Sequence, residues 1–334
     1  MIGATVDTIL YLPEREVVRA LETVDVVEAV ASALAAHARG EAALPAEARL
    51  DWPHAGEALR SLIMPAAVEG SVGVKIINAN AANPARHLQR ASGLIVLFDV
   101  TTGEPICILE GARISCLRTA AVTAIAAEHL GPDSIERLAL VGAGALARGH
   151  LELLSDRLGD LREIRLYDVD GERAKALAGE FDRAFVCRSA EEAIRGAELV
   201  VPVTTATSGY IHHEWLQPGS LLVNVSLDDP LPEVVVRADK VFVDDCGLIE
   251  ADERRLLGRM LRAGQIRGAN ADSNARPRID GALGQLLIGA CPTRSRPDEI
   301  ILVNPFGLAI EDVAVARRVH REARSLGLGA ALSR

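Results

Sequence analysis

The sequence predicts an α/β chain with a doubly wound parallel sheet, joined to a mixed α+β lobe. Three observations point there. From Ile135 onward, short apolar strands alternate with helices, as right-handed βαβ units do. The first of those strands runs directly into glycines in "LALVGAGALARG", Leu138 to Gly149. The chain before Ile135 is strand-rich and contains hairpin chemistry, so it forms a region of a different kind.

The elements follow in order. "EREVVRALETVDVVEAVASALAAHARGE" places apolar residues at helical spacing, with Asp25 positioned to cap its second part. "ALRSLIMPA" and "VGVKIINAN" read as strands. "SGLIVLFDVTTGEPICILEG" reads as a hairpin turning at "DVTTGEP". "ARISCLRTAAVTAIAAEHLG" is a long Ala-rich helix stopped by Gly131-Pro132. The alternating part runs "RLALVGA", "ALARGHLELLSDRL", "EIRLYDV", "ERAKALAGEF", then "AFVCRS", "AEEAIRGA", "LVVPVT", "SLLVNVS" and "KVFVDD". "EADERRLLGRMLRAG" and "ALGQLLIGAC" continue as helices, "EIILVNPFG" as a strand and "LAIEDVAVARRVHREARSLG" as an amphipathic helix. There is no internal repeat and no low-complexity linker.

At 334 residues the chain has room for two domains, and its 49% hydrophobic content can bury a large core. A net charge of −10 with no basic run argues against nucleic acid or an anionic membrane as the main partner. The start, "MIGATVDTILYLPEREVV", lacks the basic flank and long apolar run of a signal peptide. No stretch elsewhere has the length of a membrane span. Five scattered cysteines without a Cys-x-x-Cys spacing suggest neither a disulfide framework nor a zinc site. The expectation is a reduced, cytoplasmic protein.

Gly142-x-Gly144-x-x-Ala147 lies between a strand and a helix opening at Ala145, which is the context of a dinucleotide turn. The first glycine permits the turn, the second lets backbone approach a pyrophosphate, and Ala147 lets helix and strand pack closely. The next strand ends in Asp168, 24 residues beyond Gly144, where a carboxylate would accept from ribose hydroxyls and repel a 2′-phosphate. A Rossmann-type sheet binding NAD rather than NADP is the expectation; the alternative is a turn with no ligand. Thr204 and Thr205 in "PVTTATSG" follow a later strand and are candidates to line the cofactor crevice, or to sit in a solvated loop.

Three cations stand out in the first region. Lys75 lies inside the apolar strand "VGVKIIN", and Arg118 inside the nearly uncharged "SCLRTAAVTAIAA". An Arg in such a run is expensive unless it meets an anion or carbonyls. With Arg49 they could hold an amino-acid carboxylate, although Lys75 could equally face solvent on its strand. Asp228 and Asp229 follow the strand "LLVNVS" at its carboxyl end, where open α/β sheets place ligands, and either could serve as an acid/base or merely start a turn before Pro230. His212 and His213 in "YIHHEW" have no further ligand at metal spacing, so no metal is expected.

Taken together, "MPA" at Met64–Ala66, "GVKIINANAANPARHL", "CLRTAAVTAIAA", "LVGAGALARG", "LYDVD", "GSLLVNVSLDD" and "NPFGLAIEDVAVA" resemble the ornithine cyclodeaminase/μ-crystallin family along nearly the whole chain. The resemblance implies a Rossmann NAD-binding domain over residues 126–305. It implies a substrate and dimerisation lobe formed by residues 1–125 with 306–334, and a homodimer. It further implies NAD(P)-dependent chemistry at the Cα–N bond of a small amino-acid-like substrate.

Position by position, Arg49, Lys75 and Arg118 match residues that grip the substrate α-carboxylate. Gly142, Gly144, Ala145, Ala147 and Asp168 match cofactor positions. Asp228 or Asp229 matches the catalytic aspartate: counting from Pro218-Gly219 gives Asp228, and the Ser226-Leu227-x-Asp spacing gives Asp229, which is preferred. Lys75 is placed in the catalytic set as well. Leu62 stands where the ornithine enzymes carry a glutamate for the distal ammonium, which argues against ornithine. Arg90 stands where they carry a threonine, which favours a further carboxylate on the substrate.

The expected reaction is hydride transfer from Cα to NAD, an imine and its hydrolysis, of the kind that cleaves N-(1-amino-1-carboxy-2-ethyl)glutamate to 2,3-diaminopropionate and 2-oxoglutarate. Cyclodeamination with loss of ammonia, alanine dehydrogenation, ketimine reduction and non-catalytic NAD(P)-dependent ligand binding are the alternatives. Either reading expects both half-sites, the cationic trio and the glycine turn, to face one crevice.

Overall fold

The two kinds of strand in the sequence form two separate sheets. The computed structural model describes residues 8–226, 228–269 and 276–333. The first seven residues, within the stretch read for a leader, and Leu227, part of the Ser226-Leu227-x-Asp spacing, lie outside the described residues. The chain divides into one unit of Met1–Arg118 with Leu308–Arg334 and a second of Thr119–Gly307.

The first unit carries an eight-stranded sheet. Its order across is Ala330–Ser333, Thr8–Leu12, Pro105–Glu110, Ala91–Phe98, Ser71–Asn80, Glu57–Val68, with Ala42–Ala43 and Ala48–His54 both pairing with Glu57–Val68. Neighbours are antiparallel except Thr8–Leu12, which runs parallel to Pro105–Glu110. The strands Thr8–Leu12, Ala48–His54 and Ala330–Ser333 are additions that hydrophobic pattern alone did not announce.

Register decides which side chains share a face. Met64, Lys75 and Ile95 pair across three strands, and Arg49, Leu62, Ile77 and Gly93 form the row two residues further on. Residues two apart point the same way, so both rows lie on one face. That face is buried at Met64, Lys75, Ile95, Leu97 and Leu109. The helix Ala309–Ser325 packs on these strands and on the helix Val26–Ala38. Asp25 caps the latter, accepting from the Glu28 N–H at 3.0 Å.

The second unit carries eight strands, all pairing in parallel. Their order is Ala184–Val186, Glu163–Tyr167, Arg137–Val141, Leu199–Pro202, Leu221–Val223, Ile301–Asn304, Lys240–Val243, Gly281–Ala282. The chain winds outward one way from Arg137–Val141, then returns to start again at Leu199–Pro202. The boundary between those two strands is therefore the switch point where such sheets bind ligands. Strand Ile301–Asn304 inserts between two earlier strands, an order that alternation in the sequence cannot reveal. The inner strands Leu199–Pro202, Leu221–Val223 and Ile301–Asn304 are buried along their whole length and almost wholly apolar, as burial on both faces requires. The segment read as one helix, "EADERRLLGRMLRAG", is two: Cys246–Ala251 and Leu256–Arg262.

Candidate functional site

In the first unit, the Lys75 side chain is 2% exposed and so cannot be the solvent-facing lysine of an alternating strand. Its ammonium donates to Asp312 Oδ2 at 2.7 Å and reaches Ser115 Oγ at 3.2 Å. Burial pushes the Lys75 pKa down; the nearby Arg118 pushes the same way, and Asp312 opposes them. Arg118 donates to Glu311 Oε2 at 2.8 Å and lies 3.4 Å from Asp312 Oδ1. Lys75 comes from the central strand, Arg118 from the helix Ala112–Leu130, and both carboxylates from the first turn of Ala309–Ser325.

Sequence reading missed Glu311 and Asp312, although both are completely buried. The signal was present: two acids in "LAIEDVAVA" are as conspicuous as Arg118 in its own run, and a buried charge demands a counter-charge. The structure therefore adds two carboxylates to what was read as a purely cationic trio.

Arg49 shares the Lys75 face, one row along, and its guanidinium bonds Asp51 at 2.5 and 2.7 Å near the surface. The row that contains it has Leu62, Ile77 and Gly93 and no acidic side chain. Arg90 lies in the same direction along the sheet, five residues before Ile95, roughly 17 Å from the Lys75 row at strand rise. It is exposed, and its carbonyl accepts from the Asn80 N–H. Lys75 and Arg118 are thus gathered into one cluster, Arg49 borders it, and Arg90 stands apart.

In the second unit, Gly142 follows its strand with φ of +101°, and a Cβ there would lie 2.9 Å from the Val203 carbonyl oxygen. Only glycine fits. Gly144 differs: its φ is −91°, and an added Cβ would meet only the flexible end of Arg173 at 3.5 Å. Among the described residues no backbone atom stands against a Cβ at 144. Gly144 is the N-cap of the helix Ala145–Arg157 and offers no side chain to its first N–H groups, the arrangement that suits a phosphate. Ala147 is fully buried.

Asp168 already accepts from two backbone donors, Ala143 N–H at 2.7 Å and Asp170 N–H at 2.9 Å. It therefore braces the glycine turn, and a carboxylate retains further lone pairs for ribose hydroxyls. These residues fit a dinucleotide.

The two aspartates separate clearly. Asp228 bonds Arg259 at 2.7 Å near the surface. Asp229 is completely buried. Its Oδ1 accepts from Thr204 Oγ1 at 2.5 Å and from the Tyr210 hydroxyl at 2.9 Å. No donor reaches Oδ2 among the described residues. Burial pushes the Asp229 pKa up, while hydrogen bonds from Thr204, Tyr210 and Ser226 oppose it.

The Thr204 hydroxyl, a candidate for the cofactor crevice, is committed: it donates to Asp229 and accepts from the Ala206 N–H at 3.0 Å. Thr205 is exposed. Tyr210 and the buried pair Asn224–Asn304, bonded at 2.6 Å across the carboxyl ends of neighbouring strands, were not legible as site residues. His212 stands by Glu233 at 3.4 Å and packs on Trp215, and no cluster of three metal-ligating side chains forms among the described residues.

The chain is similar to known proteins along nearly its whole length. A model of the ornithine cyclodeaminase/mu-crystallin family matches residues 10–327. The N-((2S)-2-amino-2-carboxyethyl)-L-glutamate dehydrogenase of Staphylococcus aureus (strain NCTC 8325 / PS 47) is 31% identical over 319 residues, 92% of each chain. Among solved structures, that of CmnK superposes with a TM-score of 0.91 at 39% identity, covering 98% of both chains. An archaeal alanine dehydrogenase dimer with bound NAD superposes at 0.84 with 26% identity, covering 98% of this chain and 99% of that one.

Proposed function

This chain belongs to the ornithine cyclodeaminase/mu-crystallin family, and from that premise we propose that it is an NAD-dependent oxidoreductase acting at the Cα–N bond of an N-substituted amino acid. The substrate proposed is of the N-(1-amino-1-carboxy-2-ethyl)glutamate type. One observation carries the reading: a buried, unpartnered Asp229 oxygen in a unit whose glycine turn fits a dinucleotide.

In this reading Thr119–Gly307 is the NAD-binding domain, and Met1–Arg118 with Leu308–Arg334 is the substrate and dimerisation lobe. The helix start at Ala145 takes the pyrophosphate, and Asp168 takes the ribose and disfavours a 2′-phosphate. The bound nicotinamide supplies a hydride acceptor. Lys75, Arg118 and Arg49 hold the substrate α-carboxylate, with Arg49 exchanging Asp51 for it. Glu311 and Asp312 keep Lys75 and Arg118 charged and aimed before the substrate arrives. Asp229 removes the amine proton and then activates water on the imine.

Water and the substrate together give 2,3-diaminopropionate and 2-oxoglutarate as one hydride and one proton leave. The row beside Lys75, which carries Arg49 with Leu62, Ile77 and Gly93, offers no carboxylate to a distal ammonium.

A second copy of this chain is the proposed occupant of the outer face of the first sheet, where Leu50, Ile63 and Leu94 are 60%, 41% and 37% exposed. All five cysteines are free thiols, which suits the reducing cytoplasm.

The test is purified protein with NAD and N-(1-amino-1-carboxy-2-ethyl)glutamate, ornithine, lysine or alanine, followed by absorbance and mass spectrometry. One NADH and one 2-oxoglutarate per turnover are expected from the first substrate. Ammonia with no net NADH would replace this reading with cyclodeamination. Asp229→Asn is expected to lower turnover by at least a hundredfold, while Asp228→Asn stays within a fewfold.

A further inference from the structure

The Asp229 carboxylate is held asymmetrically, and the asymmetry is built by the fold. Two hydroxyls converge on Oδ1, Thr204 from the loop after strand Leu199–Pro202 and Tyr210 six residues later. The backbone ties the same segments together. Tyr210 N–H and Ile211 N–H both donate to the Asp229 carbonyl, at 2.8 and 2.9 Å, and Leu231 N–H donates back to the Ile211 carbonyl at 3.0 Å. Thr204 N–H is fixed in turn by Ser226 Oγ at 2.7 Å. The two loops at the carboxyl edge of the sheet therefore hold the phenol and the carboxylate in register independently of their side chains.

We propose that Tyr210 is a positioning residue for the reaction: with Thr204 it pins Oδ1 of Asp229, leaving Oδ2 as the oxygen that takes and returns the proton. This rests on the proposed role of Asp229. The phenol is suited to the task because burial and the adjacent Asp229 charge raise its pKa, so it remains a donor throughout the working range. Each hydrogen bond to Oδ1 favours the carboxylate over the acid, and so opposes the burial that pushes the Asp229 pKa up. When the proton arrives at Oδ2, both bonds to Oδ1 can persist, and the side chain need not rotate between the two half-reactions.

The titratable and charged groups around Asp229 are few. Tyr167 lies beyond Tyr210 and bears on its charge, and the neighbouring Asp228 is neutralised by Arg259. Thr204 and Ser226 contribute only hydroxyls. An apparent pKa in the acid limb of the rate profile therefore reports Asp229 and the hydroxyls that donate to it.

The experiment compares wild type, Tyr210→Phe, Thr204→Ser, Thr204→Val and Asp229→Asn. The readouts are kcat/KM against pH, NAD affinity by fluorescence and melting temperature. Removing the phenol destabilises the carboxylate, so Tyr210→Phe is expected to move the acid limb upward by about one pH unit, with NAD affinity and melting temperature little changed. Thr204→Val is expected to move it the same way, and Thr204→Ser to restore it. An unchanged limb in Tyr210→Phe, or a lower melting temperature with an unchanged limb, overturns the proposal and leaves Tyr210 a packing residue. If Asp229→Asn keeps its activity, the role of Asp229 itself fails, which is a separate result.

Discussion

The Lys75 ammonium and the Asp312 carboxylate meet at 2.7 Å across 237 residues of sequence, both buried. With Arg118 and Glu311 they form a quartet whose formal charges cancel. Such a group adds little stability over an apolar equivalent, yet removing one member leaves an uncompensated charge inside the protein. Lys75→Met is therefore expected to destabilise by about 3–5 kcal/mol in urea unfolding. Adding Asp312→Leu should recover much of that loss, so additive single-site losses would contradict the pairing. Turnover should be abolished in Lys75→Met while NAD still binds, because the glycine turn belongs to the other unit. A fully active Lys75→Met protein would remove the lysine from the site.

The two glycines of the turn predict opposite outcomes. Gly142→Ala forces a side chain to positive φ and against the Val203 carbonyl, so a loss of at least about 1 kcal/mol in stability is expected. Gly144→Ala meets no backbone obstacle. Its stability should be close to wild type while NAD affinity falls roughly tenfold or more, because the methyl group occupies the space left for phosphate. Calorimetry and cofactor titration on the two variants check this; unchanged NAD binding in Gly144→Ala would count against a ligand at the turn.

Stability should also depend on pH through His150. Its ring is fully buried, with Nδ1 2.7 Å from the Leu146 carbonyl and Nε2 3.0 Å from Thr123 Oγ1. Burial depresses its pKa from 6.5 to about 4, with the Leu146 carbonyl opposing. The folded state therefore resists a proton that the unfolded chain accepts. The contribution is fully present above about pH 6.5 and is lost as pH falls towards 4, by about 3 kcal/mol at most. His320, depressed to about 4 by burial and then by Arg317 and Arg324, acts in the same direction. Unfolding measured between pH 7 and 4.5 should show this slope, and Thr123→Val with His150→Leu should reduce it by the His150 share. An unaltered slope in the double variant would assign it elsewhere.

Much of the second unit was legible because its signals are local. "LALVGAG" encodes a strand and the turn that must follow it, and Asp168 lies one βα unit on, so their meeting is fixed by a repeating geometry. The insertion of Ile301–Asn304 between Leu221–Val223 and Lys240–Val243 was not legible, since identical apolar strands carry no mark of their neighbours. In the first unit, Lys75 and Arg118 were conspicuous as charges in apolar runs, but their partners lie about 190 residues or more away in a helix that reads simply as amphipathic. Tyr210 gave no signal, because a tyrosine in a polar loop becomes informative only when a carboxylate is found beside it.

By itself, the sequence determined most of the strands and helices, the glycine turn and the need of Arg118 for an anion or carbonyls, while it left Lys75 open. Periodicity, turn chemistry and the cost of unpaired charge act within a few residues and can be read there. Only the tertiary structure decided what those cations meet, which of two adjacent aspartates is buried, and which of its oxygens is left free. Those outcomes depend on chain segments brought together by sheet order and register, which no local pattern specifies.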